Sequence, residues 1–262
     1  MNEDMDNPGA VLLSKDNGMA VITLSRPEKL NALTPGMRRN LGACLADVAE
    51  DPDVKVVLLR GEGRAFCAGA DLVDAPETPL GWRDRVLTAQ SHHLAIARMR
   101  KPVIAAVQGT AAGGGASLAL AADILVMAED AKLAFPFVRL GLVPDGGAAY
   151  LLQAKLQSAP ALDLLLTGGA MTAAEAVRLG LTRRVVPADR LDAESRALAA
   201  DLLKLPWEAV MLTKALCAQY WTHGLERALS HEADAFALAS STEGHKMALA
   251  GIRQTLKQQG RS

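Results

Sequence analysis

A chain of 262 residues, half of them hydrophobic, can bury a full core as one domain, or as one domain with a small appendage. Its 28 lysines and arginines nearly balance 29 aspartates and glutamates, leaving a net charge of -1, so no global field draws it to nucleic acid or an anionic membrane. Small molecules and further copies of the chain are the expected partners.

The first ten residues, MNEDMDNPGA, hold no apolar h-region, and no later run approaches the ~18 apolar residues of a membrane span, which makes the cytoplasm the expected location. Cys44, Cys67 and Cys217 are far apart, without CxxC spacing or a disulfide framework, and read as reduced thiols. The histidines, at 92, 93, 223, 231 and 245, form no HExxH-like ligand run, so no metal is expected.

In chain order, residues 11–15 and 20–24 alternate around Asp16-Asn17-Gly18 and predict a hairpin. The loop SRPEKLNAL follows. Thr34-Pro35 reads as N-cap and first helical residue, with Met37, Leu41, Leu45 and Val48 at helical spacing. Residues 54–60 predict a buried strand, 61–70 a loop of small residues, and 81–100 a helix broken before Pro102. The apolar run 103–107 predicts a strand covered on both faces, and 109–115 opens a helix over 116–122. Strands at 124–127 and 133–135 and a helix at 146–156 follow. Thr172 with Glu175 forms a capping box, and Gly180 is a natural stop. Beyond residue 189 about four helices are expected, with a boundary at Leu205-Pro206 and no strand after Val185-Val186. The pattern is α/β with a helical extension.

Two glycine-rich turns each follow an apolar strand and lead toward a helix, one over 64–72 and one over 109–115. Small side chains let another group approach the backbone, and N–H groups at a helix start have no intrahelical partner, so such turns can bind an oxyanion. Either turn taken alone reads first as a tight, closely packed connection. Neither is a phosphate loop, because no lysine follows Gly113 to Gly115, and GxGxxG is absent.

Taken together, RPEKLNAL at 26–33, AFCAGADL at 65–72, KPVIAAVQGTAAGGG at 101–115, AADI at 121–124, LGLVPDGG at 140–147 and TAAEAVRLGLTRRVV at 172–186 resemble the crotonase superfamily, the enoyl-CoA hydratase/isomerase family. The resemblance implies a spiral of ββα units over residues 1–200 and a helical trimerisation region over 201–262, in a homotrimer or a dimer of trimers. It implies an acyl-CoA substrate, with coenzyme A as part of that substrate and no separate cofactor. Carried over by position, the oxyanion hole is the backbone N–H groups of Ala68 and Gly114. The CoA would lie along Lys29, Ala32 and Leu33 and the turn Ala68, Gly69, Ala70, Asp71 and Leu72. Lys257 and Arg139 are further candidates for its nucleotide and phosphates.

Departures from the family pattern decide the chemistry. The hydratases hold water with two glutamates; at those positions stand Ser117 and, by an ungapped count back from Pro144, Phe137. A hydroxyl without a partner is no general base near pH 7, and a phenyl ring binds no water. Asp145 falls where the isomerases carry their single acid/base carboxylate, although it also fits as a cap for the helix after it. The expectation is therefore a double-bond shift in an enoyl-CoA, with an atypical hydratase and a non-catalytic acyl-CoA-binding protein as alternatives. A dehalogenase is disfavoured because Gln90 stands where that branch has its histidine. His92 and His93 are adjacent on a helix, about 100° apart, so at most one should face a pocket. Trp82, Trp207 and Trp221 read as packing residues, and side chains over 73–90 as the selectors of the acyl group.

Overall fold

β1 (Ala10–Asp16) and β2 (Met19–Ser25) form the expected hairpin, closed by Asn17 and Gly18 at φ 47° and 84°. The structure is a computed structural model describing residues 9–73 and 75–259, so most of the acidic opening run lies outside the described residues, as does the Lys257 side chain. α1 (Pro35–Glu50) starts where the Thr34 hydroxyl accepts the Met37 N–H at 3.2 Å, and it buries Met37, Leu41, Leu45 and Val48. β3 (Val56–Gly61) follows.

α2 (Pro79–Arg98) begins two residues earlier than its apolar pattern suggests, because Thr78 accepts the Gly81 N–H at 3.1 Å and Pro79 suits the first turn. Then come β4 (Val103–Val107), β5 (Thr110–Ala112), α3 (Gly114–Ala121), β6 (Ile124–Ala128) and β7 (Lys132–Ala134). A 3-10 turn, Pro136–Leu140, leads to α4 (Ala148–Lys155) and α5 (Ser158–Thr167). β8 (Ala170–Thr172) precedes α6 (Ala173–Arg178), whose capping box is formed as expected, and β9 (Arg184–Val186) ends the strands among the described residues.

The main sheet runs β1-β2-β3-β4-β6-β9, parallel from β2 onward, and a small second sheet runs β5-β7-β8. β5 and β8 went unanticipated because three residues carry no alternation. The parallel strands are apolar throughout, as a sheet covered on both faces demands: all of β4 is buried. α1 packs on β1 and β2, while α7 (Leu191–Leu203) packs on β3, β4 and β6.

After α7 come α8 (Trp207–Ser240) and α9 (Glu243–Gln259). Three helices replace the four expected after residue 189, since α8 runs unbroken for 34 residues. α8 folds back onto α2 of its own chain, where Phe236 meets Trp82 at 5.5 Å between ring centroids. No helix among the described residues is long and apolar enough to cross a membrane.

Candidate active site

The loop over 26–33 is stitched to the first glycine-rich turn by one buried asparagine. Asn31 and Leu30 both adopt left-handed backbone, φ 57° and 52°, which Asn tolerates better than most residues. The Asn31 side chain accepts the Arg26 N–H and donates to the carbonyls of Glu62 and Ala65, all at 2.8 Å. The same loop corrects one expectation. The Ala68 N–H donates to the Leu30 carbonyl at 2.9 Å and cannot serve an oxyanion.

Two residues on, Leu33 bridges across Ala70: its N–H donates to the Gly69 carbonyl at 2.7 Å, and its carbonyl accepts the Asp71 N–H at 3.2 Å. That pairing leaves the Ala70 N–H without a partner among the described residues. Gly114, first residue of α3, likewise has no acceptor for its N–H there. The two turns nearly touch: at Gly69, φ 90°, an added Cβ would stand 2.7 Å from the Ala112 carbonyl oxygen and 3.3 Å from the Gly114 nitrogen. The unpaired amide couple is thus Ala70 with Gly114.

Leu33, Ala68, Gly69, Ala70 and Leu72 line the adjoining cavity, whereas Lys29, Ala32 and Asp71 do not. Lys29 is exposed. Asp71 pairs with Arg26 at 2.6 Å; burial pushes its carboxyl up, but Arg26 and the Val73 N–H outweigh that and hold it below the ordinary range. It fastens the turn to the loop. Arg139, exposed, donates to the Thr167 carbonyl at 3.3 Å and is not in the cavity wall.

Asp145 lies in the cavity wall, and an added Cβ on Gly114 would be 3.4 Å from its Oδ1. Although the residue is half-buried, Oδ1 is sealed from solvent and has no hydrogen-bond partner among the described residues. Burial pushes this carboxyl up to about 6, with Arg85 and Arg38 pulling the other way. Asp145 does not cap α4, whose N-cap is Gly147 and lacks a side-chain bond.

The two positions that lost their glutamates have other duties. Ser117, fully buried, donates to the Asp145 carbonyl at 2.7 Å. Phe137 packs beside Gly113 and walls the cavity. Both His92 and His93 line the cavity, contrary to the expectation of at most one, because the wall takes in the seam between α1 and α2 as well as the edge facing α3. The His93 Nδ1 lies 2.8 Å from the Ala89 carbonyl, which assigns the hydrogen to Nδ1 and leaves Nε2 as a buried acceptor without a partner among the described residues. Burial pushes His93 down to about 4, so the ring is neutral. Trp82, Val86, Leu142 and Phe236 make the apolar end.

One charged residue escaped the sequence reading. Glu232, on α8, is buried behind the Asp145 turn and accepts the Gly147 N–H at 3.1 and 3.2 Å on its two oxygens, and the Gln90 amide at 3.1 Å. No local signal marks a lone glutamate in a helix as buried; only the docking of α8 on α2 does so.

Two free amides on abutting turns, a buried carboxylate beside them and an apolar pocket define an enzyme site that can stabilise negative charge on an oxygen next to a proton transfer. The family model described as enoyl-CoA hydratase/isomerase matches residues 14–259. A probable enoyl-CoA hydratase of Mycobacterium bovis is 36% identical over 244 residues, 92% of this chain and 94% of that protein. The 1,2-epoxyphenylacetyl-CoA isomerase of Escherichia coli is 35% identical, over 90% of this chain and 92% of its own. The crystal structure of an enoyl-CoA hydratase from Mycobacterium avium subsp. paratuberculosis superposes with a TM-score of 0.86 at 32% identity, covering 92% of this chain and 97% of that one. The chain belongs to the enoyl-CoA hydratase/isomerase family, within the crotonase superfamily, whose members act on acyl-CoA thioesters.

Proposed function

We propose that this protein shifts a double bond in an enoyl-CoA thioester, using Asp145 as its one acid/base and the amides of Ala70 and Gly114 as its oxyanion hole. The carboxylate removes a proton from C2 of a 3-enoyl-CoA. The electron pair moves into a dienolate whose oxygen accepts both N–H groups, and Asp145 returns the proton at C4, leaving the 2-enoyl-CoA and a regenerated carboxylate. The observation carrying this reading is the unpartnered Oδ1 of Asp145 beside Gly114, in a cavity where Ser117 and Phe137 replace the water-holding glutamates. A carboxyl raised to about 6 is ionised at pH 7 yet still able to hand back its proton.

Hydration is the second reading, favoured by the unpartnered Nε2 of His93, an acceptor that could hold water beside Asp145, and by the relatives named as hydratases. Supplying 3-enoyl-CoA and 2-enoyl-CoA separately, and following the conjugated thioester absorbance, separates them. Absorbance rising on the first and abolished by Asp145→Asn supports isomerisation. Consumption of the second that survives the substitution overturns it. A homotrimer or a dimer of trimers, acting in the cytoplasm, completes the proposal.

A further inference from the structure

The Asp145 turn is gripped from two sides. Gly146 and Gly147 have φ 63° and 79°; a Cβ on the first would meet His93 Nε2 at 2.6 Å, and one on the second Leu225 at 2.5 Å. No larger residue fits between α2, α3 and α8 there. The hydrogen-bonding grip comes from Glu232. It holds the Gly147 N–H with both oxygens, and Gln90, which fixes it, is itself anchored by donating to the Leu229 carbonyl at 2.8 Å. Glu232 lies behind the turn, outside the cavity lining.

We propose that Glu232 is a positioning residue for Asp145: it clamps the turn that carries the catalytic carboxylate, and the two buried acids keep a single negative charge between them near neutral pH, with the retained proton on Glu232. The reaction draws negative charge onto the thioester oxygen, and a second carboxylate charged in the same water-poor volume would oppose it. A neutral Glu232 keeps its carbonyl oxygen as acceptor for the Gly147 N–H, so the clamp persists on one oxygen without that penalty.

The surroundings support the division. Asp145 has Arg85 and Arg38 acting on it, whereas among the described residues Glu232 is acted on by the Gln90 amide from α2, the Gly146 and Gly147 N–H groups and the Asp145 charge, and by no cation; neutral His93 from α2 and Leu225 from α8 pack on the two glycines of the same turn. Burial first and the Asp145 charge second push Glu232 up to about 8, against the opposing pull of the Gly147 N–H, the Gln90 amide and the Gly146 N–H. Two acids so close titrate as a pair.

The kinetic consequence rests on Asp145 being the base, so the test begins where no substrate is needed. In full-length protein carrying ¹³C-carboxyl glutamate and aspartate, an NMR titration should show one glutamate with a midpoint well above the ordinary range, absent in Glu232→Gln. In Asp145→Asn, a near-isosteric change, the Glu232 midpoint should fall by half a pH unit or more. A Glu232 midpoint in the ordinary range, or one that ignores Asp145→Asn, overturns the proposal whatever reaction is catalysed. Rates then test the clamp. Glu232→Gln keeps an oxygen for the Gly147 N–H but cannot ionise, so the alkaline limb of kcat/KM should flatten. Glu232→Ala should lower kcat at least tenfold with KM changed less than threefold. An unchanged alkaline limb in the Gln variant overturns the charge-sharing. Coupled titration in a protein that hydrates 2-enoyl-CoA would sink the isomerase reading and leave the pair standing.

Discussion

Ser117 donates its hydroxyl hydrogen to the main-chain carbonyl of Asp145 at 2.7 Å, so the side chain after the glycine triplet anchors the backbone of the proposed acid/base. Ser117→Ala removes one of the two donors to that carbonyl and leaves the Ala148 N–H at 3.2 Å, which costs about 0.5–1.5 kcal/mol. A melting temperature lower by several degrees is expected, with kcat reduced and KM little moved, measured by calorimetry and steady-state kinetics.

Asp145→Asn should lower kcat by about 10²- to 10⁴-fold while raising stability. The sign follows from the raised carboxyl: the unfolded chain ionises near 3.8 and the folded one near 6, so stability falls as pH rises from about 4 to 6. Above that range the ionised, buried group costs about 3 kcal/mol, an upper figure, which the amide avoids. Urea melts of both proteins at pH 4 and pH 7.5 test this: the gap should open only at the higher pH.

The same carboxyl sets the acid side of the rate profile. kcat/KM should fall tenfold per pH unit below a midpoint near 6, where Asp145 takes up its proton. His93 is already neutral there, being pushed down to about 4, so His93→Gln should leave that midpoint in place.

Replacing the amide nitrogen of one residue by an ester oxygen distinguishes the two alanines of the first turn. With lactic acid in place of Ala70, kcat should drop about 10²- to 10³-fold at unchanged stability, as loss of one oxyanion donor does. The same exchange at Ala68 breaks the bond to the Leu30 carbonyl, so it should lower the melting temperature and spare most of the rate.

Trp82 stands between the cavity and an open groove lined by Ser240, His245, Lys246 and Leu249, and it is 4% exposed. Trp82→Ala should join the two spaces. Acyl-CoA binding by calorimetry should then shift toward longer chains, with affinity for short ones lowered.

Much of this site is legible in the residues alone. The hairpin turn, the Thr34 cap and the Thr172 box stand where local chemistry places them, since each is decided within a few neighbours, whereas Asp145 is reached only through the family resemblance and its local reading as a cap for α4 fails. The choice between Ala68 and Ala70 is not local: both are small, both lie on one turn, and a carbonyl from Leu30, far earlier in the chain, takes one amide and leaves the other. The 100° between His92 and His93 does not separate them, because the cavity wall wraps around two sides of α2. Glu232 was beyond reach for a different reason. Its burial depends on where a 34-residue helix lies, and α8 carries no signal naming the helix it packs on.

Because α8 returns to its own α2, the last quarter of the chain is not a detachable assembly arm. Shortening the protein at Leu205-Pro206 would strip Phe236 from the apolar end of the cavity and Glu232 from behind the Asp145 turn in one cut. A test of the proposed self-association therefore calls for point changes on the outer surface of α8 and α9, such as at exposed Tyr220 or Leu238, with every residue of the chain retained.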